Sequence, residues 1–158
     1  MGQNMEIDNF LKIERLAEND LPKFIQLIRL FEAVFEMKNF SIPDSEHLQK
    51  LLNQNNFYVF VALLENKIVG GLTSYVLEQY YSEKPLAYIY DLAVDTNWQR
   101  QGIGKKLITA TNQFYTEKGF EEVFVQADKV DDYALDFYRS TKPTAEEQVV
   151  HFYYTLKN

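Results

Sequence analysis

Four acidic side chains are the residues of this chain whose types and positions could do chemistry. Asp91 stands inside an apolar run, Tyr88–Val94, where an unpaired charge would be costly. Asp128 closes the segment EEVFVQAD, and Asp131 and Asp132 follow it. Such carboxylates can accept a proton from an attacking amine or bind a cationic ligand. Some of them also have a structural explanation, because a backbone group or a tyrosine could satisfy Asp91 and one of the Asp131–Asp132 pair could cap a helix.

A glycine-containing loop follows the apolar run and leads into a helical pattern. The loop reads Gln99-Arg100-Gln101-Gly102-Ile103-Gly104. Its glycines let the backbone approach a ligand closely, and the unpaired first N–H groups of the helix form an anion site. Lys105 and Lys106 add positive charge in a first turn that would otherwise favour acids. The loop lacks the Gly-Lys-Ser/Thr of a nucleoside-triphosphate site and the third glycine of a dinucleotide site. A different phosphate-bearing ligand is therefore expected.

The elements that must position these residues follow from the apolar periodicity. Predicted strands cover residues 10–17, Phe57–Leu64, Ile68–Tyr80, Tyr88–Val94, Glu121–Asp128 and Val149–Leu156. Predicted helices run from Leu21 to about Glu36, after Asp44, from Ile103 to near Gly119, and from Asp131-Asp132 onward. The order β α α β β β α β α β predicts an α/β fold, a mixed sheet with helices on both faces.

Side-chain alternation then predicts which residues of the central strand share a face. Tyr88, Tyr90, Leu92 and Val94 are expected on one face, and Ile89, Asp91 and Ala93 on the other. Phe124, Gln126 and Asp128 are expected to share a face of the next strand. If the two strands are neighbours, Asp91 and Asp128 line a cleft at their carboxyl ends. Gly70-Gly71 predicts a bulge or a close approach of the backbone.

Composition narrows the classes of function. The chain has 158 residues, 46% of them hydrophobic and 15% aromatic, which predicts one compact domain over residues 1–158. The absence of cysteine excludes disulfides, thiolate metal sites and a cysteine nucleophile, and with two distant histidines no metal is expected. The net charge of −7 argues against nucleic acid and suits a cationic partner. No apolar run approaches the ~20 residues of a membrane helix and no signal segment is apparent, so a cytoplasmic protein is expected.

Two levels of resemblance to known proteins rest on these motifs. The succession of strand, Gln/Arg-x-x-Gly-x-Gly and helix resembles the acetyl-coenzyme A site of the GCN5-related N-acetyltransferases. The type I aminoglycoside 3-N-acetyltransferases are similar over more of the chain, from the first helix to the last strand. The segments that carry this closer likeness are YIYDLAV, RQGIGKKLI, VQAD with the following Asp-Asp, Ala134-Leu135-x-x-Tyr138 and His151-Phe152. In place of a glycine that such proteins commonly have after the tyrosine helix, this chain has Arg139–Pro143, so the turn there must differ.

The resemblance implies a mostly antiparallel sheet, a homodimer, acetyl-coenzyme A as donor and the 3-amino group of an aminoglycoside as acceptor. It implies direct transfer, with Asp128 or Asp91 as the base and Tyr138 as the acid that protonates the leaving thiolate. The acceptor would meet Asp91, Asp128, Asp131 and Asp132. The donor would be held by Leu92, Ala93 and Val94 and by the loop residues Gln99, Arg100, Gln101, Gly102, Ile103, Gly104 and Lys105.

Two other functions remain open on the sequence. One is acetylation of a polyamine or another small amine, which suits the same acidic cleft. The other is a non-catalytic, coenzyme-A-binding regulatory domain, which would keep the glycine loop without needing the acids or the tyrosine.

Overall fold

The fold is an α/β arrangement, and the computed structural model describes residues 7–157. Residues 7–10 are helical. The strands are β1 (Leu11–Arg15), β2 (Phe57–Leu64), β3 (Lys67–Leu77), β4 (Leu86–Val94) and β5 (Glu122–Val125). The longer helices are α1 (Leu21–Val34), α2 (Ser45–Leu52), α3 (Ile103–Glu117) and α4 (Asp132–Ser140), and a 3₁₀ turn covers Thr96–Trp98.

The strands form one sheet in the order β1-β2-β3-β4-β5. Neighbouring strands from β1 to β4 are antiparallel, and β4 and β5 are parallel. This confirms the predicted mixed, mostly antiparallel sheet. The chain divides into two compact units: the first ends at Gln126 and holds the sheet and α1 to α3, and the second begins at Ala127 and holds α4.

Local sequence accounts for the turns and caps. The β2–β3 hairpin turns at Glu65 and Asn66, both with positive φ (50° and 66°), as a two-residue hairpin loop requires. Asp44, after which a helix was predicted, caps α2 through its carboxylate, which accepts a hydrogen bond from the His47 N–H at 2.9 Å. Gly119, predicted as the residue that ends α3, has φ +82° just beyond the helix.

Helices cover both faces of the sheet in the first unit. Phe24 and Leu27 of α1 join one buried cluster with Phe57 and Val59 of β2. On the opposite face Tyr115 of α3 lies fully buried. Its hydroxyl lies 2.6 Å from Ser74 Oγ, which donates to the Tyr58 carbonyl at 3.0 Å, and burial raises the Tyr115 pKa to about 12.

Because Gly71 has no side chain, α1 packs closely against the sheet at this position. A Cβ at this position would lie 2.5 Å from Leu27 Cδ1 and 2.7 Å from the Phe60 carbonyl oxygen. The close approach predicted at Gly70-Gly71 is therefore confirmed. A bulge occurs beside it, since the β2–β3 register shifts between Ala62 and Leu63.

Two strand predictions were wrong near the end of the chain. β5 ends at Val125 rather than Asp128. Residues 149–156 form no strand: six large apolar side chains there are 63–87% exposed, namely Val149, Val150, Phe152, Tyr153, Tyr154 and Leu156. Such a run of β-branched and aromatic residues is typical of a strand, but a strand also needs a hydrogen-bonding neighbour, which composition alone does not supply.

Candidate functional site

A β-bulge in β4 decides where Asp91 lies. Thr73 of β3 pairs with Asp91, but the next residue, Ser74, pairs with Ile89, so Tyr90 is an extra residue without a partner. Tyr88 and Asp91 therefore lie on the same face, the one covered by α1 and α2. The prediction that Asp91 faces away from Tyr88 and Tyr90 was wrong, because the bulge interrupts the alternation.

The Asp91 carboxylate is half-buried and lacks a hydrogen-bond partner within residues 7–157. Burial raises its pKa above the ordinary value of 3.8. Tyr75 and Tyr88 lie close enough that their own pKa values are raised, first by burial and then by the charges of Tyr90 and Asp91. The explanation that a tyrosine or backbone group satisfies Asp91 thus finds no support. A half-buried carboxylate with a raised pKa is suited to accept a proton.

Beside Asp91, β4 has an open edge. The parallel pairing of β4 with β5 ends at Ile89 and Val125. Beyond it, residues 90–94 continue without a strand on that side in the described part of the chain. Alternate peptide groups of this segment, which includes Leu92, Ala93 and Val94, present N–H and C=O groups toward the gap. An extended ligand can bind there as an added strand does.

The glycine loop connects this edge to the first turn of α3. Gln99 Nε2 donates to the Val94 carbonyl at 3.1 Å and so holds the loop against the end of β4. Arg100 (φ 63°) and Gly102 (φ 83°) both adopt the left-handed conformation. Gly102 is the N-cap of α3 without a side-chain hydrogen bond, and the first turn carries no acid. The first N–H groups of the helix are therefore left for an anionic ligand.

The side chains around the loop fit an anion. Lys105 is exposed in the first turn, whereas Lys106 forms an ion pair with Asp8. Gln101 Oε1 is buried with no hydrogen-bond partner among the described residues. Rotation of that carboxamide by half a turn would present its NH₂ group instead, which can donate to a phosphate oxygen. Ile103 and Gly104 are buried and anchor the helix start.

Gly102→Ala should weaken binding of the phosphate-bearing ligand more than it weakens the fold. The added methyl group would meet no atom within 4 Å, but φ +83° costs an alanine roughly 1 kcal/mol. If the backbone relaxes to relieve that strain, the first N–H groups of α3 would change direction and no longer point toward the ligand. We expect the dissociation constant for coenzyme A, measured by calorimetry, to rise about tenfold, with the melting temperature lowered by a few degrees. Gly119→Ala (φ +82°, also open space) is the matched control, and equal affinities in the two variants would contradict this account.

The other predicted acids lie in the second unit. Asp128 is exposed and bends the chain into a turn, with its carboxylate accepting from the Val130 N–H at 3.3 Å. Asp131 caps α4 by accepting from the Ala134 N–H at 3.0 Å, so the structural explanation holds for this member of the pair. Asp132 is exposed in the first turn.

Tyr138 is half-buried on α4, with its ring 5.0 Å from that of Phe137. The turn after α4 differs as expected from a glycine turn. Lys142 takes the left-handed conformation (φ 57°) that a glycine favours. The structure therefore describes Asp91 with the loop in one unit and Asp128, Asp132 and Tyr138 in the other.

Other kinds of site have little support in residues 7–157. There, no group of three or more His, Cys, Asp or Glu side chains is arranged to hold a metal ion. No helix in the same range is long and apolar enough to cross a membrane.

The strand, the bulge and the anion-binding helix start lie within a segment that matches a known family. The family model described as the acetyltransferase (GNAT) family matches residues 24–141. The chain belongs to this family. GNAT acetyltransferases use acetyl-coenzyme A.

Solved structures and a curated protein extend the comparison. An aminoglycoside acetyltransferase from an uncultured soil metagenomic sample, in complex with sisomicin, is 99% identical, with a TM-score of 0.95 over 96% of this chain and 99% of that one. A second aminoglycoside acetyltransferase from an uncultured soil metagenomic sample is 30% identical, with a TM-score of 0.86 over 93% and 99%. Human N-acetyltransferase 8 is 26% identical over 61% of this chain, which spans only 42% of the human protein's length.

Sequence reasoning missed the tyrosines around Asp91 as a feature of the site. Tyr75, Tyr88 and Tyr90 converge there because of the bulge and the β3–β4 register. The only signal in the sequence was the concentration of tyrosines near an acid. That signal does not specify which of them share a face.

Proposed function

We propose that this GNAT protein is an aminoglycoside N-acetyltransferase that moves an acetyl group from acetyl-coenzyme A directly to the 3-amino group. The observation that carries the proposal is Asp91, a half-buried carboxylate on β4 beside an open strand edge. The loop that follows β4 leads into the start of α3, which has no side-chain cap. The acceptor class is supported by the 99% identical protein in complex with sisomicin. The 3-amino position rests on the likeness to the type I enzymes.

On the donor side, the proposal uses backbone more than side chains. The pyrophosphate of acetyl-coenzyme A would take the N–H groups at the start of α3, with Arg100, Gln101 and Lys105 nearby. The pantetheine arm would lie along residues 92–94, whose peptide groups would form the hydrogen bonds that water forms with the free arm. Backbone N–H groups in this segment would then stabilise the oxyanion that forms on the thioester carbonyl.

On the acceptor side, a carboxylate removes the proton that blocks attack. A protonated amine has no lone pair, so Asp91 or Asp128 accepts a proton from it, directly or through water. The amine nitrogen then bonds to the thioester carbon, the carbon–sulfur bond breaks, and Tyr138 gives its proton to the leaving thiolate. The second proton, which the nitrogen must lose to become an amide, passes through water to restore the Tyr138 hydroxyl. The raised pKa of Asp91 makes that carboxylate a stronger base than an ordinary one. Asp132 supplies further negative charge for a polycationic acceptor.

Thiol release from acetyl-coenzyme A by the purified protein tests the function. Parallel reactions contain gentamicin, spermidine or no acceptor, and mass spectrometry with NMR locates the acetyl group on the product. Rapid release with gentamicin and acetylation at the 3-amino group are expected. Acetylation at another amine would refute the position. Release with spermidine alone would favour a polyamine enzyme, and coenzyme binding without any turnover would favour a regulatory domain.

Tyr138→Phe should lower kcat with gentamicin by about 10²-fold, because the thiolate would leave without a proton donor. The loss should shrink when the leaving thiol is more acidic than coenzyme A, since such a thiol needs less protonation. Steady-state rates with the two donors measure this. Tyr133→Phe, an exposed tyrosine of the same helix, is the control. An equal loss with both donors would remove Tyr138 from the acid role.

We also propose that the protein is a cytoplasmic, single-domain homodimer. The exposed apolar residues of segment 149–156 support association, because apolar patches of this kind mark interaction sites. We expect light scattering after gel filtration to give twice the mass of one chain. Phe152→Asp should give the monomer mass, whereas Tyr81→Asp, an equally exposed aromatic in the β3–β4 loop, should not. A wild-type monomer would refute the dimer, and cell fractionation tests the compartment.

A further inference from the structure

We propose that Tyr75, Tyr88 and Tyr90 form an acceptor-binding surface beside Asp91, the tyrosine shelf, and that Tyr90 sets the preference for ring-containing amines. This inference rests on the proposed function and deepens it. It assigns binding of the acceptor's rings to residues that the resemblance does not implicate.

The shelf is a continuous series of ring contacts on one face of the sheet. The Tyr90 ring lies 5.9 Å from both Tyr75 and Tyr88, nearly perpendicular to each (84° and 75°). Tyr88 stacks on Phe124 of β5 at 4.7 Å, and its hydroxyl donates to Gln126 Oε1 at 3.2 Å. The outer tyrosines are thus held by neighbours in the sheet, which keeps the surface rigid before any ligand arrives.

The shelf also remains accessible. Tyr90 is 60% exposed and Tyr75 38%, whereas the residues on either side of Tyr90 in β4 are buried (Ile89) and half-buried (Asp91). Tyr90 is the extra residue of the bulge, and its ring contacts Tyr75 and Tyr88 while most of its surface stays open to a ligand. Exposed aromatic side chains gathered around a half-buried carboxylate are typical of a binding surface.

The geometry favours the acceptor over the donor as the occupant. α3, whose N-terminus would hold the donor phosphates, packs on the face that carries Ser74 and Ile89. The shelf and Asp91 lie on the opposite face, with Phe57 and Thr73. A thioester in the open edge of β4 can therefore be approached by an amine from the shelf side without crossing the donor's path.

Tyrosine rings suit the chemistry of a cyclic polyamine. The C–H faces of a saturated ring pack on an aromatic face, and its ammonium groups gain cation–π attraction there. A flexible linear amine carries the same kind of charge but has no rigid ring face that could pack on a tyrosine. The shelf should therefore favour an aminocyclitol over a polyamine even though both satisfy the acids.

Calorimetric titration of gentamicin and of spermidine into the coenzyme A complex tests the shelf, and it needs no turnover. Tyr90→Leu should raise the gentamicin dissociation constant about tenfold, and Tyr90→Phe should leave it within about twofold, because the ring rather than the hydroxyl binds. Spermidine affinity should change by less than about threefold in either variant. Tyr81→Leu, the same substitution at a 78% exposed tyrosine outside the shelf, is the control, and melting temperatures check folding.

Unchanged gentamicin affinity in Tyr90→Leu would overturn the inference, as would equal losses for gentamicin and spermidine. A loss of coenzyme A affinity in the same variant would assign the shelf to the donor instead. Failure of the proposed function looks different, since there wild-type protein would bind or acetylate no aminoglycoside at all.

Discussion

Asp91→Asn should lower kcat with gentamicin by about 10²–10⁴-fold and leave the affinity for coenzyme A unchanged. The amide cannot accept the amine proton, whereas the backbone groups of β4 and the loop that would hold the donor are untouched by the change. Steady-state kinetics and calorimetry measure the two effects separately. Asp128→Asn under the same conditions identifies which carboxylate is the base.

The same substitution should stabilise the folded protein at neutral pH. Burial raises the pKa of Asp91 in the folded state, so folding favours the protonated carboxyl. Stability from this group is therefore complete below the ordinary pKa of 3.8 and is lost as the pH rises through the raised pKa. Asparagine is neutral throughout and avoids that loss. The melting temperature of Asp91→Asn should thus exceed that of wild type at pH 7, and the two should converge near pH 3.

Two outcomes would contradict this account of Asp91. Unchanged kinetics would remove the residue from the site, and a lower melting temperature at pH 7 would show that its charge is stabilised after all. Glu83→Gln, which changes an exposed carboxylate in the β3–β4 loop, is the control and should alter neither quantity.

Gly71→Ala should have the largest effect on stability, a loss of about 1–3 kcal/mol in the free energy of unfolding. The new methyl group would overlap Leu27 Cδ1 at 2.5 Å and the Phe60 carbonyl oxygen at 2.7 Å. Leu27 is fully buried and the Phe60 carbonyl belongs to the β2 backbone, so neither can move away at little cost. Urea denaturation followed by circular dichroism measures the loss.

A double-mutant cycle separates the two overlaps. In a Leu27→Ala background the side-chain overlap is gone and only the carbonyl oxygen opposes the methyl group, so Gly71→Ala should cost less there than in wild type. An equal cost in both backgrounds would place the strain at the carbonyl oxygen. No cost in wild type would mean that α1 does not pack against Gly71 as described.

Much of the fold could be predicted because its signals are local. The Gly102 loop, the Asp44 cap and the Glu65–Asn66 turn each depend on a few adjacent residues whose conformational preferences decide the outcome. The uncapped start of α3 is encoded by the same short segment. The conformation of the segment that we propose to bind the donor could therefore be predicted from the sequence.

The arrangement of the face that we propose to bind the acceptor could not be predicted, because it depends on pairing between strands. The extra residue at Tyr90 follows from how β4 aligns with β3, and alternation within β4 alone gives the wrong face for Asp91 relative to Tyr88. The strand prediction for residues 149–156 was wrong for a related reason, since the composition suits a strand but no strand among residues 7–157 pairs with this segment. Two adjacent acids, Asp131 and Asp132, could each be the N-cap of α4, and the sequence does not specify at which of them the helix begins.

The open edge of β4 has a consequence for how such a protein diverges. A donor recognised through peptide groups makes little demand on side-chain identity, because every residue except proline offers the same N–H and C=O. If the donor binds there as proposed, substitutions in residues 90–94 would preserve donor recognition, and those at Tyr90 and Ala93 would change the face proposed to meet the amine. New acceptors then become accessible one side chain at a time, on a donor site inherited unchanged.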